Sequence, residues 1–160
     1  MKLKFLLIPL ILTLLLIGCG SQPIEVTVTK VVDGDTIWVS HSGEDIKVRY
    51  IGMDAPEIFG GTECYGEEAS SENLRLVGGR DVYLTFDFGR YDSFGRTLAY
   101  VWLSSNTKDI TNMVNYILVK EGYATVMTIS PNIKYAGSFT TAEAYAAVHD
   151  LGLWAACKEE

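Results

Sequence analysis

From residue 24 the chain alternates apolar and polar side chains with a period of two. Ile24, Val26 and Val28 fall on one side, and Glu25, Thr27 and Thr29 on the other. Successive side chains of an extended backbone point to opposite faces, so β-branched residues at this period specify a strand over Ile24 to Val32 with one buried face. Asp33-Gly34-Asp35 then reads as a tight turn. Thr36 to Ser40 returns as a second strand, His41-Ser42-Gly43-Glu44 as another hairpin turn, and Ile46 to Ile51 as a third strand. The result is a three-stranded meander.

Gly52 to Gly66 is irregular and rich in Gly, Pro and acidic residues. Glu67 to Val77 reads as a short helix stopped by Gly78-Gly79. Val82 to Phe86 and Leu98 to Leu103 supply a fourth and a fifth strand, separated by the polar, glycine-punctuated stretch Asp87 to Thr97. The clearest helix runs from Asp109 to Glu121. Its residues Ile110, Met113, Val114, Ile117 and Leu118 form one apolar face, with Asp109 placed to cap its start and Gly122 to end it. After a loop at Ser130-Pro131-Asn132, Thr140 and Glu143 form a capping box for a last helix to about Leu151, which Gly152-Leu153-Trp154 would pack down. A helix between the third and fourth of five strands, and helices after the fifth, is the order of an OB-type barrel. The expected fold is mainly β with α: a five-stranded OB-type barrel with three helices, over residues 24–157.

The first eighteen residues have a different character. Lys2 and Lys4 precede an almost wholly apolar run from Phe5 to Ile17. That run is shorter than the roughly 20 residues a membrane span requires and has the shape of a signal-peptide core. Leu16-Ile17-Gly18-Cys19 resembles a bacterial-type lipobox, followed at once by polar Ser21-Gln22-Pro23. The expectation is an exported chain cut before Cys19. Residues 19–23 would be the linker, and lipid on Cys19 would hold the protein on a membrane facing the outside or a periplasm. A plain signal peptide ending near a cysteine is the alternative. About 140 residues then remain, enough for one domain with one core. Cys64 and Cys157 are left as an even pair in an exported protein, and a disulfide between them is expected. Neither has a second cysteine or histidine nearby, so a zinc site is not indicated.

Thirteen basic and 20 acidic residues give a net charge of −7, and Lys2 and Lys4 belong to the export segment. Proteins that hold polyanions by bulk electrostatics are basic. Nucleic-acid binding by this chain would have to rest on local arginines and a bound cation.

Three clusters carry possible chemistry. Asp33-Gly34-Asp35-Thr36, Arg49 through Asp54-Ala55-Pro56-Glu57, and Tyr91-Asp92-Ser93-Phe94-Gly95-Arg96 are each explicable alone as turns or solvated loops. Taken together they supply the parts of a phosphoryl-transfer site. Asp35 and Asp54 offer hard oxygen ligands suited to calcium. Glu57 is placed to hold a water, and Arg49 and Arg96 offer forked donors to phosphate oxygens. Such a site needs charge neutralisation, a placed nucleophile and donors for the developing charge.

With these residues in place, the chain resembles the staphylococcal nuclease (thermonuclease) family from about Val28 to Trp154. The likeness also draws on Tyr65-Gly66-Glu67-Glu68-Ala69-Ser70, on Asp92 through Tyr100, and on Gly152-Leu153-Trp154. The resemblance implies a five-stranded OB barrel with three helices. It implies calcium held by Asp35, Asp54 and the carbonyl of Ala55, phosphate bound by Arg49 and Arg96, and an attacking water positioned or activated by Glu57. It further implies hydrolysis of DNA and RNA to 3′-phosphate ends. The type member of that family is basic, has tyrosines where Met127-Thr128-Ile129-Ser130 stand, and lacks the cysteine pair. Tyr91, Phe94 and Tyr123 are the aromatic residues placed to stack bases, although for each of them packing within the domain is the alternative. The expected partners are nucleic acid and, through Cys19, a membrane, with the protein a monomer. A catalytically silent OB-fold lipoprotein that binds nucleic acid or another ligand, or that serves a structural role, is the competing reading.

Overall fold

The computed structural model describes residues 22–158. The expected export segment, with its expected cut before Cys19, lies outside the described residues.

Five strands close into a barrel in the order β1-β2-β3-β6-β5. β1 (Ile24–Val31), β2 (Thr36–His41) and β3 (Glu44–Tyr50) are the expected meander. Val26 and Val28 point inward from β1, as the alternation requires. β5 (Asp81–Thr85) and β6 (Thr97–Trp102) complete the wall, with Val82, Leu84, Ala99 and Val101 fully or almost fully buried. Closure comes from a parallel pairing of β3 with β6, in which Arg49 stands beside Leu98. This register brings Arg96, just ahead of β6, near the level of Arg49.

A second, two-stranded ladder lies outside the barrel. β4 (Gly52–Asp54) pairs antiparallel with β7 (Thr125–Met127), matching Asp54 with Thr125. The sequence pattern did not announce it, because two three-residue strands are too short to show a period. Gly52 makes the bend from β3 into β4 at φ +82°, and a Cβ there would lie 2.3 Å from the Phe139 ring. Only glycine satisfies both conditions.

α1 (Gly66–Val77) matches the expected helix closely. The helix expected over 109–121 is divided. Asp109 caps a single 3-10 turn, Ile110–Asn112, and α2 proper is Val114–Lys120. Met113 between them is extended, held by a β-bridge to Trp102 while the Leu103 amide donates to the Asn112 carbonyl. A tertiary contact thus overrides the continuous apolar face. Gly122, at φ +78°, ends this segment as expected.

The last long helix is also shifted. α3 spans Ala136–Val148, one turn earlier than the capping-box pattern placed it. Tyr135 packs against Tyr100, Trp102 and Phe139, and that aromatic cluster sets where the helix begins. Thr140 therefore lies inside the helix and donates to the Ala136 carbonyl, while Glu143 accepts from the Val126 amide at 2.7 Å and fastens β7. A short α4 (Leu153–Ala156) adds to the three expected helices. Its first amide donates to the Gly122 carbonyl, where two glycine backbones meet. Cys64 and Cys157 are joined by a disulfide, as the pairing of exported cysteines led us to expect.

Candidate functional site

The Asp33-Gly34-Asp35 turn is packed tightly onto α1 and the start of the next loop. A Cβ at Gly34 would lie 2.5 Å from the Ala55 Cβ and 3.1 Å from that of Ala69. This close approach delivers Asp35 to Ala55, whose amide donates to Asp35 Oδ2 at 3.0 Å. Asp35 Oδ1 accepts from the Thr36 hydroxyl, and the Asp35 amide donates to Asp33 Oδ1. The buried Tyr50 hydroxyl donates to Asn73 on α1, and Asn73 donates to the Asp33 carbonyl. Burial pushes the Tyr50 hydroxyl far up from its ordinary value, so it stays a donor.

Arg49 projects from β3 into this corner. Its guanidinium is ion-paired to Asp35 through one nitrogen and to Asp54 through the other, the latter at 2.5 Å. The Arg49 and Asp35 side chains are 9% and 6% exposed, whereas that of Asp54 is 49% exposed. One guanidinium therefore spans two carboxylates, one sunk in the wall and one at its edge. Asp33 is the additional acid of this corner. Burial raises its pKa, while the charge of Arg49, hydrogen bonds from Thr36 and the charge of Arg96 pull the other way.

Arg96 reaches the same place from a different element. Asp92 Oδ1 accepts from the amides of Phe94 and Arg96, and its Oδ2 accepts from Arg96 Nε at 2.6 Å. Burial alone would raise the Asp92 pKa, but these hydrogen bonds and the Arg96 charge outweigh it and hold the carboxyl below its ordinary range. Gly95, at φ +78°, completes the turn. Arg49 and Arg96 then line one cleft of about 320 Å³, with Tyr91, Met127, Ile129 and Asn132 among its other walls.

The structure thus brings together Arg49, Asp35, Asp54, Ala55 and, across the cleft, Arg96. Glu57 stands apart. It is exposed on the loop after Asp54, and no side-chain partner holds its carboxylate among the described residues. Also among the described residues, no three His, Cys, Asp or Glu side chains converge as a metal-binding group. At Asp35 and Asp54 the positive charge is supplied by the guanidinium between them. Two hard carboxylates sharing a single positive group, with the Ala55 backbone beside them, are a donor set that suits a divalent cation taking oxygen ligands.

Tyr91 is exposed on the cleft wall and Phe94 is exposed on the Arg96 turn. Tyr123 instead stacks on Tyr65 with ring centroids 5.6 Å apart, which is packing. Two residues beyond the expected set also belong to the site. Asp33 holds the turn of Asp35, and Asp92 aims Arg96. Their only sequence signal is a short Asp-to-Gly turn spacing, which specifies a local fold but not what the fold presents.

A family profile described as "Staphylococcal nuclease homologue" matches residues 47–156. The chain is 39% identical over 139 residues to the SPbeta prophage-derived endonuclease YokF of Bacillus subtilis, covering 84% of this chain and 45% of the relative. It is 38% identical over 136 residues to endonuclease YncB of the same organism, covering 82% of this chain and 62% of the relative. It is 37% identical over 130 residues to the thermonuclease of Staphylococcus intermedius, covering 79% and 74% of the two chains. The chain spans less than two thirds of the length of either Bacillus relative.

Proposed function

The chain belongs to the staphylococcal nuclease family, and from that premise we propose that it is a calcium-dependent nuclease hydrolysing DNA and RNA to 3′-phosphate ends. The observation that carries this reading is Arg49, which touches both Asp35 and Asp54 and lines a cleft with Arg96.

In this reading Asp35, Asp54 and the Ala55 carbonyl hold the cation. When bound, calcium would neutralise charge on the scissile phosphate and on the pentacoordinate species that follows. Arg49 and Arg96 donate to the phosphate oxygens. A guanidinium fork suits two oxygens at once and remains charged at any working pH. Asp92 fixes the direction from which Arg96 approaches. Glu57 holds a water in line with the leaving 5′-oxygen and accepts or orients its proton. The Arg49 fork is engaged by Asp35 and Asp54, so a cation held at those acids would take over their charge and leave the guanidinium donors for a phosphate.

We propose further that the protein is exported and lipid-anchored through Cys19. Replacing Cys19 by Ala should shift it from the membrane to the soluble fraction. Persistence in the membrane fraction would count against the anchor.

The nuclease reading is tested by steady-state cleavage of single-stranded DNA with calcium, by the wild type and by Glu57→Ala. Cutting that falls about 10² to 10³-fold in the variant is expected, the size of effect seen when one group that stabilises or positions the transition state is lost. Calcium binding by the folded wild type without turnover would instead favour a silent binding protein.

A further inference from the structure

The segment that carries Glu57 has little of its own to hold it. Between β4 and α1, residues 59–64 are all exposed, Phe59 at 63%. Gly60 and Gly61 adopt φ +85° and +130° with nothing near where a Cβ would be. A loop with so few buried contacts belongs to the least stable part of a fold. A water-positioning group, in contrast, must be held to a fraction of an ångström.

Three contacts close this loop at its neck. The Glu57 amide donates to Glu63 Oε2 at 3.0 Å, and the Glu63 amide returns to the Glu57 carbonyl at 2.9 Å. The Gly66 amide donates to the Glu63 carbonyl, and a Cβ on Gly66 would lie 2.7 Å from the Glu57 carbonyl oxygen. The neighbouring Cys64 is bonded to Cys157, at the end of α4. The start of α4 is anchored in turn, because the Leu153 amide donates to the Gly122 carbonyl behind α2, and the Cys157 amide donates back to the Leu153 carbonyl. A cleft of about 280 Å³ opens between the two ends, and Asp54, Ala55, Glu63, Cys64 and Cys157 all line it. The disulfide therefore shares a cleft with Asp54 and Ala55 of the site, at the base of the Glu57 loop.

We infer that the Cys64–Cys157 bond and the Glu63 carboxylate are positioning groups for Glu57. The covalent bond fixes the far end of the loop to the body of the domain. Glu63 then transmits that fixed position to the Glu57 backbone through the paired hydrogen bonds. Neither group touches the reacting atoms. The inference rests on the proposed role of Glu57.

The test compares the wild type with Cys64→Ser/Cys157→Ser, Glu63→Ala and Glu63→Gln. Each is assayed for kcat and KM with calcium and single-stranded DNA, at a temperature where circular dichroism shows it folded. Positioning predicts that the double serine variant and Glu63→Ala lose fivefold or more in kcat with KM within twofold. Misplacement of a catalytic group by about 1 Å is enough for losses up to 10²-fold. Glu63→Gln, which keeps an acceptor oxygen, should hold most of the wild-type kcat. A purely structural disulfide would lower the melting temperature and leave kcat of the folded protein within fivefold, and that result overturns the inference. Hydrogen exchange at the Glu57 and Glu63 amides is measured alongside and should accelerate in the double serine variant. Unchanged exchange overturns the clamp whether or not the protein cuts DNA. A wild type that does not cut at all counts against the nuclease reading, and the exchange result still decides the clamp.

Discussion

At Arg49 a guanidinium is almost wholly removed from water while touching two carboxylates. A buried ion pair gains little over an apolar pair, but losing one member strands the other without compensation. Arg49→Ala should therefore destabilise the calcium-free protein by about 3 kcal/mol, chiefly through Asp35. Calcium should restore more stability to this variant than to the wild type, because it replaces the missing positive charge. Thermal melts with and without calcium check this. Equal calcium-induced shifts would separate Arg49 from the cation site. Asp92 makes a second prediction at this scale. Its folded pKa lies below the ordinary 3.8, so its contribution is present above that value and is lost as pH falls through the lower folded one. Asp92→Asn should cost about 1–2 kcal/mol near neutrality, and the difference from wild type should close on acidification below about pH 4. Denaturant titrations at several pH values measure it. The residues proposed for direct chemical roles, Asp35, Arg49, Asp54, Glu57 and Arg96, could be picked out in the sequence because their residue types suit the chemistry, and the structure joins Arg49 to Asp35 and Asp54. Asp33, Asp92 and Glu63 could not, because they act on backbone amides, and any turn-forming acid has the same appearance.

The five strands of the barrel were readable in the sequence, the first from its alternation and the others as short runs between turn signals, and the departures lie where distant parts of the chain decide. The expected helix over 109–121 breaks at Met113 because Trp102 on β6 recruits that residue into a bridge. Immediately beyond the break, Asn115 on α2 is fully buried. Its side chain accepts from the Val101 amide and donates to the carbonyls of Ile51 and Ala99. It thus ties α2 to β6 and to the end of β3, where Arg49 begins its approach. A lone Asn on an apolar helix face gives no hint of this, since its partners are 14 and 64 residues away. Asn115→Leu should cost about 2–4 kcal/mol by taking the Asn115 partner from the buried Val101 amide and Ile51 carbonyl, while the Ala99 carbonyl keeps its bond from the Ile51 amide. A loss below 1 kcal/mol in a chemical melt would remove it from this role. Gly52→Ala should be comparably damaging, since a Cβ there collides with Phe139 and the backbone is left-handed.

For the whole molecule, a net charge of −7 forbids a general attraction for polyanions. The barrel sets against this two arginines brought to one place. Parallel closure of β3 on β6 puts Arg49 and Arg96 into one cleft, and the acids beside them invite a cation. Substrate binding should accordingly depend on calcium more than on ionic strength. Among the described residues no helix is long and apolar enough to cross a membrane; the proposed attachment is lipid at Cys19. The central claim is that the corner built by Asp35, Asp54, Arg49 and Arg96, with Glu57 on the loop that follows, hydrolyses phosphodiesters only with calcium. The direct measurement is cleavage of an end-labelled single-stranded DNA by the purified chain with calcium, followed by chelator, with the ends of the products identified. The account predicts rapid cutting to 3′-phosphate ends, which stops on chelation and resumes when calcium is restored. Cutting that is indifferent to chelator, or a folded, calcium-loaded protein that leaves the DNA intact, would contradict it.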